Sequence, residues 1–138
     1  MGEKSVVRTE AAPAPFQGAP YSQAISAGGV VFVSGQLALR PDHAEIVGDS
    51  IQEQTEQVFA NLRAILEEAG SGLDRLVKTT VYLADLGDFA GMNEVYALHV
   101  GDRPPARATV EVSGLPSGAK LEIEAIALRS PAETRCVV

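Results

Sequence analysis

Apolar residues along the chain recur with two different periods, and each segment is legible from the one it follows. Residues 28–36, GGVVFVSGQ, form a short Val- and Phe-rich run between glycines, the pattern of a buried strand. The preceding PYSQAISA (20–27) supplies a hairpin partner. After Ser50 the period lengthens: Ile51, Val58, Leu62, Ile65 and Ala69 recur at helical spacing, with Phe59 and Leu66 widening the stripe. Ser50 and Glu53 have the spacing of a capping box, and Gly70 is a suitable stop. Residues 76–86 return to alternation, with Val77, Thr79, Val81 and Leu83 on one side and Lys78, Thr80 and Tyr82 on the other. A second helix is predicted over 88–100, capped by Asp88, with Phe89, Met92, Tyr96 and Val100 on one face. Two strands, 106–114 and 119–129, close the pattern around the turn-rich GLPSG at 114–118. This order of elements predicts an α+β fold, one sheet with helices on one face.

If the last two strands pair as a hairpin with Ser113 opposite Gly118, Val110 meets Leu121, Ala108 meets Ile123 and Val112 meets Ala119 on one face. The other face then pairs Glu111 with Lys120, Arg107 with Glu124 and Thr109 with Glu122, which separates apolar from polar groups and matches opposite charges. That register puts Arg107, Thr109, Glu122 and Glu124 on the face away from the helices. Ile126 and Leu128 continue that face, so it is expected to be buried against another subunit. A homo-oligomer with a ligand site in the subunit crevice follows from this expectation.

Length and composition narrow the class. A chain of 138 residues is one domain, expected over 16–129 between a flexible N-terminal arm at 1–15 and a C-terminal tail at 130–138. No apolar run approaches the roughly 20 residues of a membrane span. The first ten residues lack the apolar segment of a secretory signal. Val6 stands where a myristoylation pattern needs Ser or Thr. Cys136 is the only cysteine, which excludes an internal disulfide and a cysteine metal site, and a cytoplasmic location is expected. The net charge is −7 and the eleven basic residues are scattered, so nucleic acid is not an expected partner. His43 and His99 have no carboxylate at ligand spacing, and no metal site is expected. Ser34 has no histidine at triad spacing, and Gly28, Gly29 and Gly35 do not form a phosphate cradle.

Five stretches together resemble the Rid family (YjgF/UK114) of enamine and imine deaminases: GAPYSQA at 18–24, VFVSGQ at 31–36, LVKTTVYLADLGDF at 76–89, PPARATVEV at 104–112 and LEIEAIA at 121–127. They run in family order across nearly the whole folded unit. The resemblance implies a chorismate-mutase-like (YjgF-like) α+β domain with a mixed sheet. It further implies a trimer with sheets facing inward, and sites between subunits that hydrolyse 2-aminoacrylate and related imino acids to 2-keto acids and ammonia without metal or cofactor. It assigns Arg107 to the substrate carboxylate and Glu122 to the attacking water. It places Tyr21, Ser34, Gly35 and Asn93 in the pocket. The chain departs from the family in two places. Its run Gly18-Ala19-Pro20-Tyr21 is one residue longer than the usual Gly-Pro-Tyr, and Thr109 replaces a frequent cysteine whose role is mainly through its backbone carbonyl.

The chemistry suits these residue types. A guanidinium offers a planar fork of donors to a carboxylate, and a glutamate can take a proton from water as it attacks a C=N carbon. A neighbouring Glu124 would raise the Glu122 pKa while Arg107 would lower it. Taken without the family, Arg107 is as well explained by a salt bridge to Glu124. Glu122 is then a strand residue in a charge network, and Tyr21, Ser34 and Asn93 are ordinary turn and helix residues. Two other activities are compatible with the same stretches: a non-catalytic carboxylate-binding or chaperone-like role, and RNA cleavage.

Overall fold

The computed structural model describes residues 2–42 and 45–130; His43 and Cys136 lie outside the described residues. Among the described residues six strands form one sheet: β1 (Ser5–Val7), β2 (Ala24–Ala27), β3 (Val30–Gln36), β4 (Leu76–Leu83), β5 (Ala106–Glu111) and β6 (Leu121–Leu128). Two helices, α1 (Ile51–Glu68) and α2 (Phe89–Val100), stand between strands. The strands lie in the order β1-β2-β3-β6-β4-β5. Every pairing is antiparallel except β4 with β5, so the sheet is mixed.

Alternation sets which side of the sheet meets the helices. Val31 and Val33 on β3, Val81 and Leu83 on β4, and Ile123 and Ala125 on β6 are buried under both helices. Val58, Phe59, Leu62, Ile65 and Leu66 of α1, with Met92, Tyr96 and Val100 of α2, complete that core. The Ser50 capping box forms as the spacing predicts: Ser50 Oγ accepts from the Glu53 backbone, and Glu53 Oε1 accepts from the Ser50 and Asp49 N–H groups. Asp88 sits at the N-cap of α2 but makes no side-chain cap bond. Asp85 caps the preceding turn instead, accepting from Gly87 N at 2.8 Å.

Two expectations from the sequence do not hold. First, residues 1–15 do not stand wholly apart from the domain. Ser5–Val7 forms an edge strand on β2, and the buried amide of Gln23 clasps the residues after it. That side chain accepts from Thr9 N and donates to the carbonyls of Thr9, Ala12 and Pro13. The Ala/Pro composition signals no regular structure, yet a side chain 10 to 14 residues away supplies the missing hydrogen bonds.

Second, β5 and β6 are not a hairpin. β4 lies between them, paired parallel with β5 and antiparallel with β6. The hairpin register with Ser113 opposite Gly118 is therefore replaced by Arg107 opposite Thr79 on β4 and Glu122 opposite Tyr82. The physical reason is burial. Leu121, Ile123, Ala125 and Ala127 form a fully apolar side that is best satisfied in the sheet centre, where both edges of β6 are also hydrogen-bonded. β5 has no buried residue and takes the edge. Local charge matching could favour the hairpin by only a fraction of a kcal/mol to about 1 kcal/mol per pair, less than central burial of one Ile.

Candidate active site

Arg107 lies on the helix side of the sheet. Its strand partner Thr79 is fully buried and bonds the Tyr96 hydroxyl at 2.6 Å, which fixes that side of the strand against α2. The guanidinium sits 4.7 Å from the Tyr96 ring centroid and 5.5 Å from that of Phe89. Its Nη1 donates to Asn93 Oδ1 at 2.8 Å. Phe89, Asn93 and Tyr96 follow one another at i, i+4 and i+7, so one face of α2 makes a cage for one cation. All three partners are neutral. Among the described residues no carboxylate lies within salt-bridge distance of Arg107, so its charge is uncompensated within the chain. The sequence-based alternative, a salt bridge to Glu124, is ruled out because the two side chains occupy opposite faces.

Thr109 points the same way as Arg107, two residues further along β5 and opposite the buried Val81. Its Oγ1 is buried and has no hydrogen-bond partner.

Glu122 lies on the open side of the sheet, with Glu124 two residues on and Tyr82 opposite. Burial raises the Glu122 pKa above its ordinary value, and the Glu124 charge adds to that. Burial likewise raises Tyr82, followed by its interaction with Glu124. Ser34 and Gly35 form a bulge between the Val33–Ala125 and Gln36–Ile123 pairs. A Cβ at Gly35 would collide with the Glu122 carboxyl, so a glycine here lets that carboxyl lie across β3. Ser34 Oγ donates to the Ser22 carbonyl at 2.6 Å and so ties the bulge to the segment that bears Tyr21. Tyr21 is 42% exposed, and its hydroxyl accepts from Phe16 N at 2.6 Å. Tyr21 and Gly35 line one small recess with Phe16, Leu37 and Leu39.

The seven candidate residues thus form two groups. Arg107, Asn93 and Thr109 gather between β5 and α2, while Tyr21, Ser34, Gly35 and Glu122 gather around the β3 bulge. The expectation that Arg107, Thr109, Glu122 and Glu124 share one face is wrong. It rested on β5–β6 pairing, and the inserted β4 puts Arg107 and Thr109 on one side and the two glutamates on the other. Sequence reasoning also missed Phe89 and Tyr96 as partners of Arg107, reading them only as core. Their helical phase with Asn93 is the signal that could have found them. Among the described residues no group of three or more His, Cys, Asp or Glu side chains could hold a metal ion. No helix there is long and apolar enough to cross a membrane.

Comparison with known proteins extends these observations to nearly the whole chain. A RutC family protein of Pyrococcus abyssi is 53% identical over 126 residues, covering 91% of this chain and 98% of the relative. The mouse protein named 2-iminobutanoate/2-iminopropanoate deaminase is 41% identical over 128 residues, covering 93% of each. Among solved structures, Escherichia coli TdcF with bound serine superimposes with a TM-score of 0.83 at 40% identity, covering 91% of this chain and 99% of that one. The family model described as Endoribonuclease L-PSP matches residues 9–129, and with these relatives it establishes that the chain belongs to the Rid (YjgF) family.

Proposed function

We propose that the protein is a homotrimeric deaminase that hydrolyses small 2-imino acids and their enamine tautomers to 2-keto acids and ammonia, at sites formed between copies of the chain. One observation carries this: Arg107, in a protein of net charge −7, is held only by neutral groups and keeps its full charge for an anion. Two aromatic faces and one amide orient the guanidinium without neutralising it, which suits reversible capture of a carboxylate. The mouse deaminase and the serine-bound TdcF support an amino-acid-like ligand.

Arg107 and Glu122 lie on opposite faces of one sheet, so both can reach one substrate only if two copies contribute. The open face carries Val6, Phe32, Val110 and Leu128, each 42–56% exposed, a surface suited to burial against another copy. In the resulting crevice, Arg107 of one copy binds the carboxylate and Glu122 of the next faces the C=N carbon. With 2-aminoacrylate, protonated Glu122 delivers a proton to the terminal CH2 and gives the iminium. The Glu122 carboxylate then takes a proton from water as its oxygen bonds the iminium carbon. Passing that proton to nitrogen lets ammonia leave as the C–N bond breaks, and the hydroxyl returns its proton to the Glu122 carboxylate as it becomes the ketone. Burial holds the Glu122 pKa above its ordinary value, which eases its protonation and suits a group that gives a proton before it takes one. No step requires a metal or cofactor.

The test couples an amino-acid-derived imine, generated in situ, to the protein and to Arg107→Ala. The expected outcome is imine consumption above background by the unaltered protein and loss of at least about 100-fold in the variant, an effect the size of one missing charged anchor. Background rates for the unaltered protein would make it a binder or chaperone-like protein. RNA cleavage that Arg107→Ala abolishes, with no imine turnover, would favour the activity in the family description.

A further inference from the structure

β6 carries two glutamates on its open side, and the deaminase reaction proposed above, on which this inference rests, uses only one of them. Leu121, Ile123 and Ala125 turn inward, so Glu122 and Glu124 project the same way, their backbone positions about 7 Å apart. The Glu122 carboxyl lies over Gly35 of β3. Glu124 stands opposite Thr80 of β4 and borders a recess of about 210 Å³ with Thr80, Lys78 and Phe32. Tyr82 is opposite Glu122 and one diagonal step from Glu124.

Nothing within the chain neutralises this pair. Among the described residues, neither glutamate has a Lys, Arg or His within salt-bridge distance. The charged and titratable groups around Glu122 are Glu124 and Lys120 on its own strand and its lead-in, Tyr82 and Lys78 on β4, and Tyr21 before β2. The facing strand β3 contributes none. In the assembled crevice Arg107 of the next copy adds a positive charge, which the substrate carboxylate takes up.

The Glu124 charge reaches both of its neighbours. Burial first, and then that charge, raises the pKa of the Glu122 carboxyl and of the Tyr82 hydroxyl. Without it, Glu122 would lose its proton at lower pH. Less of it would then be protonated to serve the enamine CH2, and its carboxylate would be a weaker base towards water. We propose that Glu124 is a positioning residue of the reaction: through its charge it keeps the neighbouring Glu122 carboxyl able both to give the enamine a proton and to take one from water.

The test compares Glu124→Gln, which removes the charge at nearly constant shape, with Glu124→Asp, which keeps it. Turnover of the imine made from alanine is followed across acid and neutral pH. NMR of the glutamate carboxyl carbons follows Glu122 itself in the full chain, with Glu122→Gln identifying its signal. Attack of water on the imine needs the carboxylate, so kcat/KM rises with pH through the Glu122 pKa. Removing a like charge lowers that pKa. In Glu124→Gln the acid limb and the NMR midpoint should both move to lower pH by at least about 0.4 pH unit, as for two unit charges about 7 Å apart in water. Glu124→Asp should leave both close to those of the unaltered protein. An NMR midpoint unmoved in Glu124→Gln, or one that moves while the acid limb stays, would overturn the proposal and leave the deaminase in place. So would a loss of rate in both variants with neither midpoint displaced, the mark of a merely structural role. Imine turnover absent at every pH would overturn the deaminase, and with it any part for Glu124 in that reaction.

Discussion

Gly35 shows how one missing side chain positions a catalytic candidate. Its backbone lies under the Glu122 carboxyl, and the space a methyl group would fill is occupied by that carboxylate. Since a glutamate side chain is flexible, Gly35→Ala should leave the fold intact and swing Glu122 away. Imine hydrolysis is expected to fall at least about 10-fold with little change in thermal unfolding, because misplacing a reacting group by about 1 Å costs that much or more. Unchanged kcat/KM would show that the Glu122 position does not matter to turnover. Arg107 teaches the complementary lesson: its partners were all visible in the sequence, but their roles were not. Phe89 and Tyr96 read as core by period, and only packing turned two rings and Asn93 towards one guanidinium.

Helix α1 was legible almost to the residue, because its signals are local. Ser50, Glu53 and Gly70 act within one turn of their own positions, and the apolar stripe depends only on spacing. Ser50→Ala should lower stability by about 1 kcal/mol, read as a drop of a few degrees in the unfolding midpoint at fixed protein concentration. Hydrogen bonds from the Asp49 and Ser50 N–H groups hold the Glu53 pKa below its ordinary value of 4.5. A carboxylate whose folded pKa is depressed stabilises the protein above its unfolded pKa, and that contribution disappears as pH falls through the folded value. Glu53→Gln should therefore be less stable than the unaltered protein near neutrality, and the gap should narrow once the pH falls below 4.5 and vanish below the lowered folded value. A constant difference across pH would mean that the box does not depend on charge. Strand β5 was misread for the opposite reason. Its alternation located it as a strand, but which neighbour it takes depends on β4, more than twenty residues earlier.

Assembly governs whether the two groups of site residues ever meet. Mixing Arg107→Ala and Glu122→Gln subunits after reversible dissociation should restore activity that each lacks alone. A crevice that draws Arg107 from the second variant and Glu122 from the first is intact. Random mixing into trimers should return about a quarter of the wild-type rate. No recovery, with mixed oligomers demonstrated, would sink a site shared between copies.

The sequence by itself determined both helices, five of the six strands, the apolar side of β6, the capping of α1 and the family. All of these follow from spacing within one segment or from segments read in order. Tertiary structure alone decided that β6 takes the centre of the sheet and β5 its edge, and therefore that Arg107 and Glu122 face opposite ways. Strand order reflects competition among whole apolar surfaces for the most buried position, and no local pairing preference is large enough to announce its outcome.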